Sequence, residues 1–352
     1  MDRTALGVLI GGTRYVRKST GEPVFFLDMF DLGSSRLQTI ELDFLAHGLT
    51  TMPERSTTAA LFEKRGPHAA IVDLLKRDVR AFKAGPRRAF YGHGVYSPDS
   101  RTIYSVEIDT ETQEGLLSVR DASTFEVTGE MPTGGKNPHD ALLLEDGRTL
   151  VITNGGGVMN SGAPASVAFV DLEARKVVDL VKMSDENINA GHVAVGRDGS
   201  IAVVSAPRDG LPSMNVGGLS LRRAGETGPA AWMRDPIDVA DRMIGESLSV
   251  AIHEPTGIVA ATHPYGGIIT LWNLAERRLL KTYELVSVRG VTVTLGGSLF
   301  AVAFGLEGLL AFIDPTTLDL IDAKSPVYGR FMGSHVYSWR LPEGAELAQT
   351  EQ

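Results

Sequence analysis

Short apolar runs, paired across tight polar turns, recur along almost the whole chain. The clearest pair is GVYSPDSRTIYSVEID, in which two apolar runs flank Pro98, Asp99 and Ser100, residues that preset or tolerate turn dihedrals. LLLEDGRTLVITN, VAVGRDGSIAVVS, VAIHEPTGIVAAT and VTVTLGGSLFAVA repeat the pattern. These inner runs are apolar on both faces, as expected of strands packed between neighbouring sheets. A more variable outer pair follows, as in GLLSVRDAST, SVAFVDLEARKVVDLV, ITLWNLAERRLLKTYEL and LLAFIDPTTLDLIDA, so each unit reads as a four-stranded β-meander. A helical apolar period is nearly absent; Asp73 to Lys83 is the stretch that reads as one or two helical turns.

Five segments place a histidine just ahead of an inner run: AHGLTTM (His47), GHGVYSPDSR (His93), PHDALLLEDGR (His139), GHVAVGRDGS (His192) and SHVYSW (His335). The intervals are 46, 46 and 53 residues from His47 to His192, a period too long for a helical-pair repeat and suited to a propeller blade. The 143 residues from His192 to His335 leave room for three more intervals, filled by two runs without a leading histidine, from Ser247 and from Val288. At the N-terminal end GVLIGGTRY, EPVFFLDMFDL and RLQTIELD give three strands without an innermost partner, while SHVYSW supplies one innermost strand alone. Sharing one blade between residues 335–341 and 6–43 would remove the exposed sheet edges. The pattern therefore predicts an all-β, seven-bladed β-propeller with four-stranded antiparallel blades, the last closed by both termini, as a single domain over residues 1–352.

Composition narrows the partners. Thirty-nine glycines and 17 prolines among 352 residues fit many short strands joined by tight turns. A net charge of −9 argues against nucleic acid, whose binding needs a basic field. No apolar run approaches the length of a membrane span, and MDRTALGVLIGG lacks the apolar core of a signal peptide, so a chain free of membrane insertion is expected. The absence of cysteine removes disulfides and thiolate ligands together, without settling the compartment.

In a propeller, the loop entering an innermost strand and the loop leaving the second strand open on the same face. The five histidines should therefore meet the second-strand ends, which carry Arg14, Glu63, Lys64, Glu107, Asp109, Asn154, Arg208, Asp209 and His263; Glu246 and Arg289 stand where no histidine leads. Imidazole with carboxylate and without thiolate suits copper, zinc or ferrous iron. His47, His93, His139, His192 and His335 are the candidate metal ligands; Arg14, Glu63, Lys64, Glu107, Asn154, Arg208, His263 and Arg289 are candidates for orienting a ligand. A plainer role for each histidine is a buried pin bonding the neighbouring blade's backbone. A hydrolytic alternative takes Glu107, His93 or Glu63 as the activating group for water. His68 reads as a loop residue and His253 as part of the EPTG turn on the opposite face. No phosphate loop, nucleophile elbow or other nucleotide or catalytic signature is found, so no nucleotide cofactor is expected.

The run FYGHGVYSPDSRTIYSVEID followed by GKNPHDALLLEDGRTLVITNGGG, with GGTRY, AHGLT and FEKRGP upstream, resembles an uncharacterised family of bacterial seven-bladed propellers. Members are often exported and often encoded near imelysin-type iron-uptake proteins and di-haem peroxidases. The resemblance implies a WD40/YVTN-like fold and a periplasmic setting if a leader is removed, a cytoplasmic one otherwise. More distantly, the blade rhythm is similar to lactonase-type propellers, which implies a lactonase or esterase activity at the channel mouth. A third possibility is a scaffold for a protein partner, for which Tyr15, Tyr91, Tyr265 and Trp339 are the candidate exposed aromatics. The expectation is a propeller whose histidine-rich channel end binds a transition metal or a small anionic ligand.

Overall fold

The computed structural model describes residues 6–53, 57–321, 330–333 and 335–350. Ser334 of the SHVYSW segment, Asp322 and Ala323 at the end of the last outer run, and the first five residues lie outside these. Each inner pair read from the pattern is an antiparallel hairpin: Arg88–Tyr96 with Thr102–Asp109, Pro138–Leu143 with Thr149–Asn154, Val193–Val195 with Ile201–Ser205, Val250–His253 with Ile258–His263, and Val291–Val293 with Phe300–Phe304. The architecture is an all-β propeller.

Burial explains why these sheets stack around an axis. The second strands Thr149–Asn154, Ile201–Ser205 and Ile258–His263 are buried along nearly their whole length, whereas the outer strand Asp78–Lys83 is almost wholly exposed. A strand with apolar groups on both faces needs a sheet on each side. That need is met between neighbours: Val151 and Val167 pack against Ile201 and Val203, Val204 and Leu219 against Val259 and Trp272, and Ala260 and Ile269 against Val302 and Ala311. A sheet this small could not bury either face alone. Strand Tyr337–Trp339, near the C-terminal end, pairs with Val8–Val16 at the N-terminal end, and Pro23–Asp31 and Leu37–Leu42 complete that sheet.

The expectation of seven separate blades is corrected. Among the described residues, five four-stranded sheets stand alone and the eight strands between Ala46 and Lys136 join in one continuous sheet. The cause is local: strand Thr58–Gly66 runs on past its hairpin, and Lys64 and Gly66 pair with Tyr91 and Phe90 of Arg88–Tyr96, with a register shift between the two pairs. Asp73 to Lys83 is likewise not helical. The Asp73 carboxylate accepts the Leu75 and Lys76 amides, Arg77 takes a left-handed φ of 65°, and the chain turns into strand Asp78–Lys83.

That turn is itself a repeat. Asp31, Asp73, Asp121, Asp171, Asn273 and Asp314 each close a third strand, and the residue four positions on is left-handed every time: Ser35, Arg77, Phe125, Arg175, Arg277 and Leu318. The side chain satisfies amides two or three residues ahead, as in Asp121 to Ser123 and Thr124, or Asp314 to Thr316 and Thr317. The single helical turn Ile237–Ala240, which the sequence pattern did not suggest, lies between two blades.

Candidate metal centre

Three of the five histidines are aimed by irregularities in the strands that carry them. The pairing of Ala46–Thr51 shifts register between Ala46 and Gly48, that of Arg88–Tyr96 between Phe90 and Gly94, and that of Pro138–Leu143 between Pro138 and Ala141. These breaks bracket His47, His93 and His139. A bulge releases a residue from the strict two-residue alternation and re-aims its side chain. His192 and His335 instead lie just ahead of Val193–Val195 and Tyr337–Trp339, the His192 carbonyl accepting the Val204 amide.

All five imidazoles are buried and close together. One ring nitrogen from each of His47, His93, His139 and His192 lies within 4.8 Å of the others. The His192 Nε2 is 3.3 Å from the His47 Nε2 and 2.8 Å from the His335 Nε2. His192 sits centrally, its ring centroid 4.0–5.4 Å from those of the other four. Glycine makes this density possible at two points. A Cβ on Gly48 would fall 2.7 Å from the His93 Nδ1, and one on Gly92, whose φ is +111°, would strike the His47 ring.

Burial holds His47, His139, His192 and His335 well below the ordinary imidazole range; the neighbouring rings add to the effect, as does Lys64 for His47, His139 and His335. His93 is lowered too, again by burial, and Asp140 acts against the shift. Asp140 Oδ1 lies 3.2 Å from the His93 Nδ1 and accepts the Ala141 amide, while Oδ2 accepts the Val193 amide. The carboxylate thus stands beside the His93 Nδ1, which favours the proton there and leaves Nε2 as the lone-pair atom. That Nε2, and the His139 Nε2, are buried with no hydrogen-bond partner.

Hydrogen bonding among the rings cannot satisfy the group. The His192 Nε2 carries either one proton or one lone pair, yet two other Nε2 atoms face it, and the His93 and His139 atoms face none. A cation at the centre would take all these lone pairs at once. With metal–nitrogen bonds of 2.0–2.1 Å, tetrahedral ligands stand about 3.3 Å apart and right-angled ones about 2.9 Å. Neutral imidazoles without thiolate suit copper, zinc, iron or nickel.

The cluster separates two cavities. One, of about 320 Å³, lies along the channel and is lined by His93, His192 and His335 with Asp140, Ser249 and Tyr337. The other, of about 290 Å³, opens at the mouth against His139, Lys64, Arg65, Tyr91, Asp209 and Glu246. Lys64 Nζ is 3.2 Å from Glu246 Oε1. Arg65 donates from Nε and Nη2 to the Tyr91 hydroxyl, at 2.9 and 2.6 Å.

Several residues expected here are occupied elsewhere. Glu107 accepts from Arg120 Nη2 at 2.7 Å and from Ser105 Oγ at 2.8 Å, in a buried pair on neighbouring strands of one sheet. Glu63 accepts from the backbone amide and Nδ1 of His68, which opens strand His68–Asp73 and is not a loop residue. Arg208 closes a loop by donating to the Gly157, Ala163 and Glu186 carbonyls. Asn154 donates to the Thr133 carbonyl. His263 is a pin, with Nδ1 2.7 Å from Ser247 Oγ and Nε2 2.9 Å from Thr270 Oγ1, and burial pushes it down to about 3. Arg14 is exposed on Val8–Val16, and Asp109 pairs with Arg87 and Arg88. Lys64 and Asp209 do line the mouth. Arg289, half-buried and near Glu246 and Tyr265, does not line the mouth, and its Nε donates to the Gly333 carbonyl. His253 keeps its turn role, bonding Thr256 and the Gly297 carbonyl. Of the four aromatics considered for a partner surface, Tyr91 and Trp339 are buried and Tyr265 is exposed.

Sequence reasoning missed Asp140 and the Arg65–Tyr91 pair as site residues; Asp140 was visible as the residue after His139, and Arg65 and Tyr91 as members of FEKRGP and FYGHG.

Similar folds occur in proteins of very different kinds. A chain of Kuenenia stuttgartiensis hydrazine synthase superposes with a TM-score of 0.59 at 14% identity, covering 84% of this chain and 93% of that one. A chain of the mitotic checkpoint complex gives 0.57 at 12% identity, covering 78% and 77%. At such identities the likeness concerns the fold alone. No curated protein matches the chain. No helix among the described residues is long and apolar enough to cross a membrane. The family is shown directly: the model for DUF1513, proteins of unknown function, matches residues 40–325, and the chain belongs to that family.

Proposed function

We propose that this propeller binds one transition-metal ion in its channel, with His47, His93, His139 and His192 as ligands and His335 as a fifth donor. The observation that carries this reading is the pair of buried, unpartnered Nε2 atoms on His93 and His139 beside the crowded nitrogens of His47, His192 and His335. Leaving such groups unsatisfied costs about 1–3 kcal/mol each, a cost that a shared cation removes. The lowered pKa values support it as well, since neutral imidazole is the ligating form. Copper, iron and zinc are the candidates, and the donor set favours none of them outright. Because the ligands come from strands between Ala46 and Trp339, the whole chain acts as one unit in this reading. Protein made without an affinity tag should contain about one copper, iron or zinc per chain, and after stripping should take one back. His139→Ala and His192→Ala should each weaken that uptake. Metal-free protein that takes up none of the three would end the proposal.

A further inference from the structure

The mouth cavity adjoins the His139 side of the cluster, while the other cavity reaches His93, His192 and His335. Its construction departs from plain strand geometry. Lys64 and Gly66 pair across to Tyr91 and Phe90 with a register shift between them, and Arg65, within that shift, is left-handed with φ 58°. A non-glycine residue held there, beside a bulge, marks a place where the chain accepts strain to aim side chains. The same strand extension that fuses the eight-stranded sheet therefore sets Lys64, Arg65 and Tyr91 around one space.

The hydrogen-bond arithmetic of that space is incomplete. Tyr91 accepts two bonds from Arg65, so its own hydroxyl proton is still available to donate. The Tyr91 ring stands edge-on to His139, with centroids 5.5 Å apart. Charge points the same way. A divalent ion held by imidazole ligands keeps its charge, and around the mouth Lys64 and Arg65 are matched by Glu246 and Asp209.

We propose that the mouth cavity binds a small monoanion of carboxylate size, coordinated to the metal beside His139, with the Tyr91 hydroxyl donating to it and Arg65 holding Tyr91 in position. The proposal rests on the metal centre described above. Binding exchanges a metal-bound water for the anion, with no change of oxidation state.

The copper(II)-loaded chain titrated with azide tests it, with formate as competitor. Azide should produce a saturable charge-transfer band that formate removes. Tyr91→Phe and Arg65→Gln should weaken azide binding at least tenfold with copper stoichiometry unchanged, whereas Thr292→Val, in the opposite cavity, should leave it as in the parent. Full copper loading with no azide band, or with parental azide affinity in Tyr91→Phe, would overturn the anion site while leaving the metal centre standing. A chain that binds no copper, iron or zinc would remove both.

Discussion

Asp140 and Gly92 serve the histidine cluster in opposite ways, one by bonding and one by having no side chain. Asp140 orients His93 and ties it to the backbone ahead of His192's strand. Its replacement by asparagine should lower metal affinity about 10–100-fold, read by chelator competition, because second-shell carboxylates set both ring orientation and basicity. Parental affinity in Asp140→Asn would show that the ring is held by packing alone. Gly92 permits a left-handed backbone against the His47 ring, so Gly92→Ala should abolish stoichiometric metal binding. The five histidines were legible because one residue type recurred at one register, and a repeated fold turns shared register into shared position. Asp140, Arg65 and Tyr91 each occur once, so no recurrence marked them. Glu107 was misplaced for a different reason. On a regular strand the face alternates with every residue, and Glu107 shares the inter-sheet face of Ser105, two positions earlier.

Strands and turns carried most of the readable signal. Continuous apolar inner runs and PDS, EDGR or RDGS turns marked the hairpins, since apolar residues on both faces leave a strand no alternative to burial between sheets. The aspartates closing the third strands were equally readable in DLGSS, DLLKR, DASTF and DLEAR, where an acceptor precedes a left-handed residue by four. What the pattern could not convey was strand length: the extra pairing of Lys64 and Gly66 with Tyr91 and Phe90 depends on a bulge, and bulges leave little trace in composition. The buried cross-strand pair Glu107–Arg120 gives a check on the division between fold and site. Arg120 also lies 5.2 Å from the Phe90 ring centroid, and both charges are almost wholly buried. Arg120→Ala should cost about 3–5 kcal/mol in chemical denaturation by stranding the carboxylate, with metal stoichiometry unchanged. Loss of metal in a folded Arg120→Ala chain would tie Glu107 to the site after all.

For the molecule as a whole, pH reports on the cluster. Six imidazoles, the five of the cluster and His263, are held below their unfolded value by burial, so the unfolded chain binds more protons once the pH falls under about 6.5. Stability of the metal-free protein is then full above that pH and falls as the pH drops, by up to about 1.4 kcal/mol per pH unit for each histidine. Asp28, buried beside Thr13 and Arg330 and pushed up to about 6, acts in the reverse sense between its unfolded value and 6, offsetting one histidine. Melting temperatures of the metal-free chain should therefore fall steeply from pH 6.5 to 5, and bound metal should raise them throughout without flattening the fall, because ligated rings stay unprotonated until the chain unfolds. Equal melting temperatures with and without metal would mean that no ion is held in the folded chain.

The most direct measurement is anomalous diffraction from crystals of the metal-loaded chain, recorded on both sides of the absorption edge of the ion found by elemental analysis. The account predicts one strong peak among His47, His93, His139 and His192, about 2.0–2.1 Å from their ring nitrogens and open toward Tyr91. A peak on the surface, or none in the channel at full occupancy elsewhere, would contradict it.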